Sequence, residues 1–163
     1  MASTLTAATL TVKHTESITL NGQEQGGTNT FTVASIAQVS KRQITCPSGT
    51  HTGICKFGAT TGGATNELFD VGDVKYIRFT NKDDTNHISL IFKNEDNDEF
   101  QVKLDKGQTF VFNGDLAGGL EDTIEANAGT VTPGTYGTNG DLANVTATAD
   151  TAACDLEIFV AST

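Results

Sequence analysis

The chain has no tryptophan and only two tyrosines, Tyr76 and Tyr136. Sugar sites usually stack a pyranose on such amphipathic rings, so carbohydrate recognition is poorly supplied with material. No apolar run approaches the roughly twenty residues that a membrane-spanning helix needs. No charged stretch followed by an apolar core opens the chain, so neither a secretory leader nor a span is expected, and the cytoplasm of the producing cell is the expected place of synthesis. Basic residues stop at Lys106. Up to that point ten Lys and Arg stand against twelve Asp and Glu, a balance of −2; beyond it eight acids stand alone, a balance of −8. A surface of that sign repels phosphate, which argues against nucleic acid or an anionic membrane as partner. It suits a solvated face or a docking patch for a basic partner. Neither G-x-x-x-x-G-K-[ST] nor G-x-G-x-x-G occurs, and no G-x-S-x-G supports a serine nucleophile. Long Ala, Leu, Glu and Lys stretches at helical spacing are missing, and no internal repeat of fixed period suggests a propeller or solenoid.

Threonine fills much of the gap, at about one residue in six of 163. A β-branched, half-polar side chain fits a pleated, partly exposed surface, so the bias favours strands. The length suits one domain, residues 1–163, with a real core. Its centre is the stretch from Val74 to Gly114, which predicts four consecutive strands as an antiparallel meander. Ile77 and Phe79 share a face, as do Ile88, Leu90 and Phe92, then Phe100, Val102 and Leu104, then Phe110 and Phe112. That is the two-residue period of a half-buried strand. Asn-, Asp- and Gly-rich turns separate the runs.

Before this stretch, residues 1–20 predict two short strands, or one broken near His14, serving as an N-terminal arm or edge strand. Asn21-Gly22 marks a hairpin or longer loop. Phe31 and Val33 share a phase, and the pattern breaks near Ala37 as a bulge or a helical turn would break it. Strands follow at Lys41–Cys46 and Ile54–Phe57, and LFDVGD reads as a strand end and turn. Beyond Gly114 a long Gly-rich loop extends to about Asn144; Leu120 and Ile124 fit one helical turn or a short strand. Val145 to Ala149 alternates weakly. Cys154 to Val160 predicts a final strand with Cys154, Leu156, Ile158 and Val160 inward, placed to pair with a strand of the first half. Eight to ten strands at this spacing predict an all-β antiparallel sandwich, most economically a jelly roll.

Candidate chemistry is sparse. Cys46 and Cys55 flank a predicted hairpin turn, where reduced thiols, a disulfide formed after release from the cell and metal binding all remain open. Cys154 alternates with core positions. The acidic run Glu95 to Glu99 invites calcium, but lacks the sixth-position Gly and the distal Glu of an EF-hand. His14, His51 and His87 fall in three different contexts. No catalytic, metal or cofactor site is assigned.

Residues 16–44 (ESITLNGQEQGGTNTFTVASIAQVSKRQI), the Val74–Gly114 stretch and the closing ATADTAACDLEIFVAST together resemble small virion structural proteins of tailed phages, especially marine ones. The resemblance covers more than half of the chain and rests on overall texture. It implies a non-enzymatic building block of a particle: a jelly-roll or sandwich subunit, acting as a homotrimeric capsid decoration or cement protein against the major capsid protein, or else a tail, baseplate or fibre component. It places the protein in the virion, without a cofactor. A carbohydrate- or host-surface-binding module is the alternative from a different class, and a hydrolase with a scattered active site the remaining one.

Overall fold

The computed structural model describes residues 6–58, 68–114, 116–121, 123, 129 and 141–163; the expectations for Ile124 and Tyr136 lie outside the described residues. Every regular element among them is a strand: β1 (Ala8–Glu16), β2 (Thr19–Leu20), β3 (Gln23–Glu24), β4 (Gly27–Ile36), β5 (Gln38–Cys46), β6 (Thr52–Gly58), β7 (Leu68–Asp70), β8 (Val74–Asn81), β9 (Ile88–Asn94), β10 (Glu99–Leu104), β11 (Thr109–Asn113), β12 (Leu142–Ala149) and β13 (Cys154–Ser162). One sheet runs β11-β8-β13-β5 and a second runs β10-β9-β12-β6-β7. Their inner faces meet in one apolar cluster, making the expected β-sandwich. Every strand pair is antiparallel except β6–β7, which is parallel.

The meander expected at Val74–Gly114 does not form. β8 and β11 lie in one sheet while β9 and β10 lie in the other, so the chain crosses the sandwich after β8 and again after β10. The facing of the side chains is nevertheless as the alternation requires. Ile77, Phe79, Ile88, Leu90 and Phe92 are wholly buried, and Phe100, Val102, Phe110 and Phe112 pack against them. Period two fixes which face is apolar, not which neighbour the strand chooses. Phe92 sits at the centre, stacked on Phe100 at 4.7 Å and edge-on to Phe79 of the opposite sheet at 5.9 Å.

β13 lies between β8 and β5, closing the sheet with a first-half strand as expected. Its inward residues Cys154, Leu156, Ile158 and Val160 are all buried. The weakly alternating segment proves to be β12, a central strand whose Val145, Ala147 and Ala149 are buried between β9 and β6. Ala147 and Ala149 stand opposite Leu90 and Ile88 of β9, both wholly buried.

Asn81, wholly buried at the end of β8, fastens two chain crossings. Its Nδ2 donates to the carbonyls of Asn86 (2.9 Å) and Leu104 (3.1 Å), and its Oδ1 accepts from the Asp83 amide (3.0 Å). At the far end of β8, Leu120 is buried and its amide donates to the Val71 carbonyl (2.8 Å). Gly119 makes this possible: it has φ +66° and lies so close to Gly72 that a Cβ would sit 2.3 Å from the Gly72 carbonyl oxygen. The Gly-rich loop thus begins pinned to the body.

Candidate interaction surface

β1 and β4 form a long hairpin in continuous register from Leu10↔Val33 to Glu16↔Gly27, with one irregularity beside Ile36. β1 passes through His14 unbroken; the interruption falls instead at Ser17 and Ile18. The disturbance expected near Ala37 is a bulge, with Ser35 at φ 61° and no helical turn. The arm is therefore two-stranded and runs from residue 8 to residue 36, longer than the segment 1–20 expected from sequence.

The base of the arm covers the outer face of the four-stranded sheet. Val12, Val33 and Ile36 bury against Tyr76 and Ala161, with Leu10, Phe31, Val111 and Phe159 around them. Tyr76 meets Phe159 edge-on at 6.0 Å and Phe31 at 6.4 Å. It is thus part of a second, smaller core and offers no sugar platform. Beside it Arg78 lies 5.8 Å over the Phe159 ring and pairs with Glu157 at 2.7 Å, while Lys41 approaches the same carboxylate at 3.3 Å. A groove of about 270 Å³ remains between arm and sheet, lined by Leu10, Thr11, Val12, Lys13, Tyr76, Arg78 and Phe159.

Burial opposes the charge on Glu157, but Lys41 and Arg78 outweigh it and pull its carboxyl below the ordinary range. A carboxylate with a depressed folded pKa stabilises fully above its unfolded value and stops doing so as pH falls through the folded one. Stability should therefore decline on acidification below about pH 4.5. Urea midpoints at neutral and acid pH check this: Glu157→Gln should shrink the difference between them, and an unchanged difference would remove Glu157 from the account.

Beyond His14 the arm leaves the body, and every residue from Thr15 to Gln25 is exposed. At about 3.3 Å per residue, the distance from His14 to the turn is about 20 Å. The turn is Asn21-Gly22 with φ of 50° and 76°, the positive pair that a two-residue hairpin loop requires. Behind it the tip is braced from within. Glu24 Oε1 accepts from the amides of Gly26 (2.8 Å) and Ile18 (3.1 Å), which together lower its pKa. Gly26 is required, since a Cβ there would stand 2.1 Å from the Glu16 carbonyl oxygen. The tip holds Ile18 at 55% exposure and Leu20 at 58%. Isolated exposed apolar residues are ordinary. Two on a projecting, internally hydrogen-bonded hairpin have the form of a contact element.

The histidines do not occupy three contexts. His51 and His87 line one groove of about 320 Å³ with Gly49, Ser89, Thr148, Ala149 and Asp150. His87 Nδ1 lies 3.4 Å from Asp150 Oδ2, and the Asp150 amide donates to the His87 carbonyl (3.1 Å). Sequence separation hid this: the loops after β5, before β9 and after β12 come together only once the sheets pair. His14 stands apart, stacked on Phe31 at 6.0 Å. Among the described residues no three His, Cys, Asp or Glu are grouped to hold a metal ion. The acidic run forms a turn with Asn97 at φ 70°, closed by the Asp98 amide on Asn94 Oδ1 at 2.8 Å.

The cysteines are also rearranged. β5 and β6 lie in different sheets, so Cys46 and Cys55 do not face each other across a hairpin. All three cysteines are buried and unbridged, and the residue opposite Cys46 is Cys154. Comparison with protein-family models, with curated proteins and with solved structures gives no match for this chain.

Proposed function

We propose that this protein is a non-enzymatic assembly subunit of a phage virion, acting as a capsid decoration or cement protein in a symmetric homotrimer. The observation that carries this reading is the arm: a braced hairpin, exposed from Thr15 to Gln25, displaying Ile18 and Leu20 away from the body. Burying these residues against a neighbouring capsid subunit would make lattice dissociation costlier. The resemblance of the chain to virion structural proteins of tailed phages supports the same reading. So does the strand order. With the short β7 set aside at the edge beside β6, we read β5-β13-β8-β11 facing β6-β12-β9-β10 as a jelly-roll order, the double Greek key used in viral capsids, which is support by fold analogy. A tail, baseplate or fibre position would use the arm in the same way.

The test is a double variant, Ile18→Ser with Leu20→Ser. Both side chains are exposed, so thermal stability should stay within about 0.5 kcal/mol of the parent. Association with expanded capsids, and the rise in capsid melting temperature that it causes, should fall at least tenfold. Undiminished association would remove the arm tip from the mechanism.

The polar groove of His51, His87, Ser89, Thr148 and Asp150 favours a second reading, a glycan- or host-surface-binding module. A glycan array separates the two. Binding that is lost on His87→Ala and kept in the arm-tip variant would support the second.

A further inference from the structure

We propose that Cys46 and Cys154 form a reversible cross-strand disulfide, stapling the C-terminal strand to β5 when the protein meets a disulfide oxidant. The two residues are direct partners in the antiparallel β5–β13 ladder. Directly opposed residues have Cα atoms about 4.5–5.5 Å apart, inside the roughly 4.4–6.8 Å that a disulfide spans. Both side chains point inward into the same apolar cluster, at 0% and 1% exposure. Cys55 belongs to the other sheet, where its ladder partner is Val145.

Access comes from position. Cys46 ends β5 and Cys154 begins β13. Residues 47–50 after the first and 150–153 before the second are exposed. Opening this last pair, together with the bonds from the Ala149 amide to the Pro47 carbonyl (3.1 Å) and from the Ser48 hydroxyl to the Asp150 carbonyl that tie the flanking segments, would uncover both sulfurs at the edge of the sandwich. Burial pushes the Cys46 thiol up to about 11, and burial together with Asp83 also raises Cys154. Both thiols thus remain protonated and slow to react at neutral pH. The pair stays reduced in a reducing compartment and closes where disulfide is plentiful.

The chemistry balances with glutathione disulfide as oxidant. Cys154 loses its proton and its thiolate attacks one glutathione sulfur, breaking that S–S bond and releasing a glutathione thiolate that takes up the proton. The Cys46 thiol then loses its proton and attacks the Cys154 sulfur of the mixed disulfide, and the second glutathione leaves as a thiolate that takes up that proton. Two protein thiols are oxidised and one glutathione disulfide is reduced to two thiols. The bridge closes a loop of about a hundred residues, which in the chain-entropy account chiefly restricts the unfolded state. None of this depends on the assembly reading.

The experiment incubates the folded full-length chain with glutathione disulfide under non-denaturing conditions. Titratable thiols should fall from three to one, peptide mapping should join Cys46 to Cys154, and the thermal midpoint should rise by about 5–10 °C. Cys55→Ala should form the same bridge. Cys154→Ala, provided it melts cooperatively, should not. A crosslink through Cys55, or a glutathione adduct on Cys154 that never resolves, would overturn the proposal. So would three thiols that persist in the folded chain while urea-unfolded chain oxidises under the same conditions.

Discussion

Phe92→Ala should lower stability by about 4 kcal/mol, the middle of the range for truncating a buried phenylalanine. The reason is the number of rings that converge on this side chain. Phe92 is wholly buried, stacks on Phe100 with an interplanar angle of 3°, and meets Phe79 at 84°, Phe110 at 5.4 Å and Phe112 at 6.2 Å. Phe79, Phe110 and Phe112 come from the facing sheet, so the lost ring removes contact between layers as well as within one. The cavity cannot collapse easily, because its walls are aromatic side chains fixed on paired strands of both sheets. A chemical denaturation curve checks it: the midpoint should fall with the slope unchanged. A loss below about 1.5 kcal/mol would mean that the sheets do not meet at this residue.

The second large effect is expected at a polar position. Asn81→Leu keeps the volume of the side chain but removes the two N–H donors that serve Asn86 and Leu104 and the acceptor for the Asp83 amide. Backbone groups left buried without partners cost about 1–3 kcal/mol each, and water reaching the loops recovers part of that. The expected net loss is about 3 kcal/mol. Asn81→Asp separates geometry from charge: it retains the acceptor, loses both donors and adds a buried negative charge beside two carbonyl oxygens, so it should be at least as damaging. Hydrogen exchange locates the effect. Protection should fall first around 82–87 and 104–108, where the chain crosses between sheets. A Leu variant as stable as the parent would show that these bonds exchange freely with water.

The sequence made the inside of each strand legible and left the partners of each strand hidden. Ile77, Phe79, Leu90, Phe92, Leu156 and Ile158 sit where a two-residue period places them, because alternation is a local consequence of the pleat. Which strands pair is decided by crossings over the top and bottom of the sandwich, and those depend on contacts such as Asn81 with Leu104 that no window of sequence contains. The same separation explains the cysteines. Cys46 and Cys55 are near in sequence and fall in opposite sheets, while Cys46 and Cys154 are over a hundred positions apart and directly paired. Asn21-Gly22 marked the hairpin turn correctly, since two positive φ values are a local requirement. Its length was not legible. The strands of the arm are Thr-rich and nearly featureless, and their docking residues Val12, Val33 and Ile36 acquire meaning only from Tyr76 and Ala161 far along the chain.

The arm also explains why an outer sheet face can carry Tyr76, Val111 and Phe159 without exposing a large apolar patch. The base of the hairpin covers that face, and the tip carries Ile18 and Leu20 outward. Both tasks fall to one continuous segment joined to β5 through Ala37, whose amide is held by the Ser162 carbonyl at 2.9 Å.

The most direct test of this account is the solution mass of the full-length chain by light scattering after size exclusion. A symmetric virion subunit predicts a stable trimer, near three times 17.1 kDa. A monomer at every concentration would contradict it.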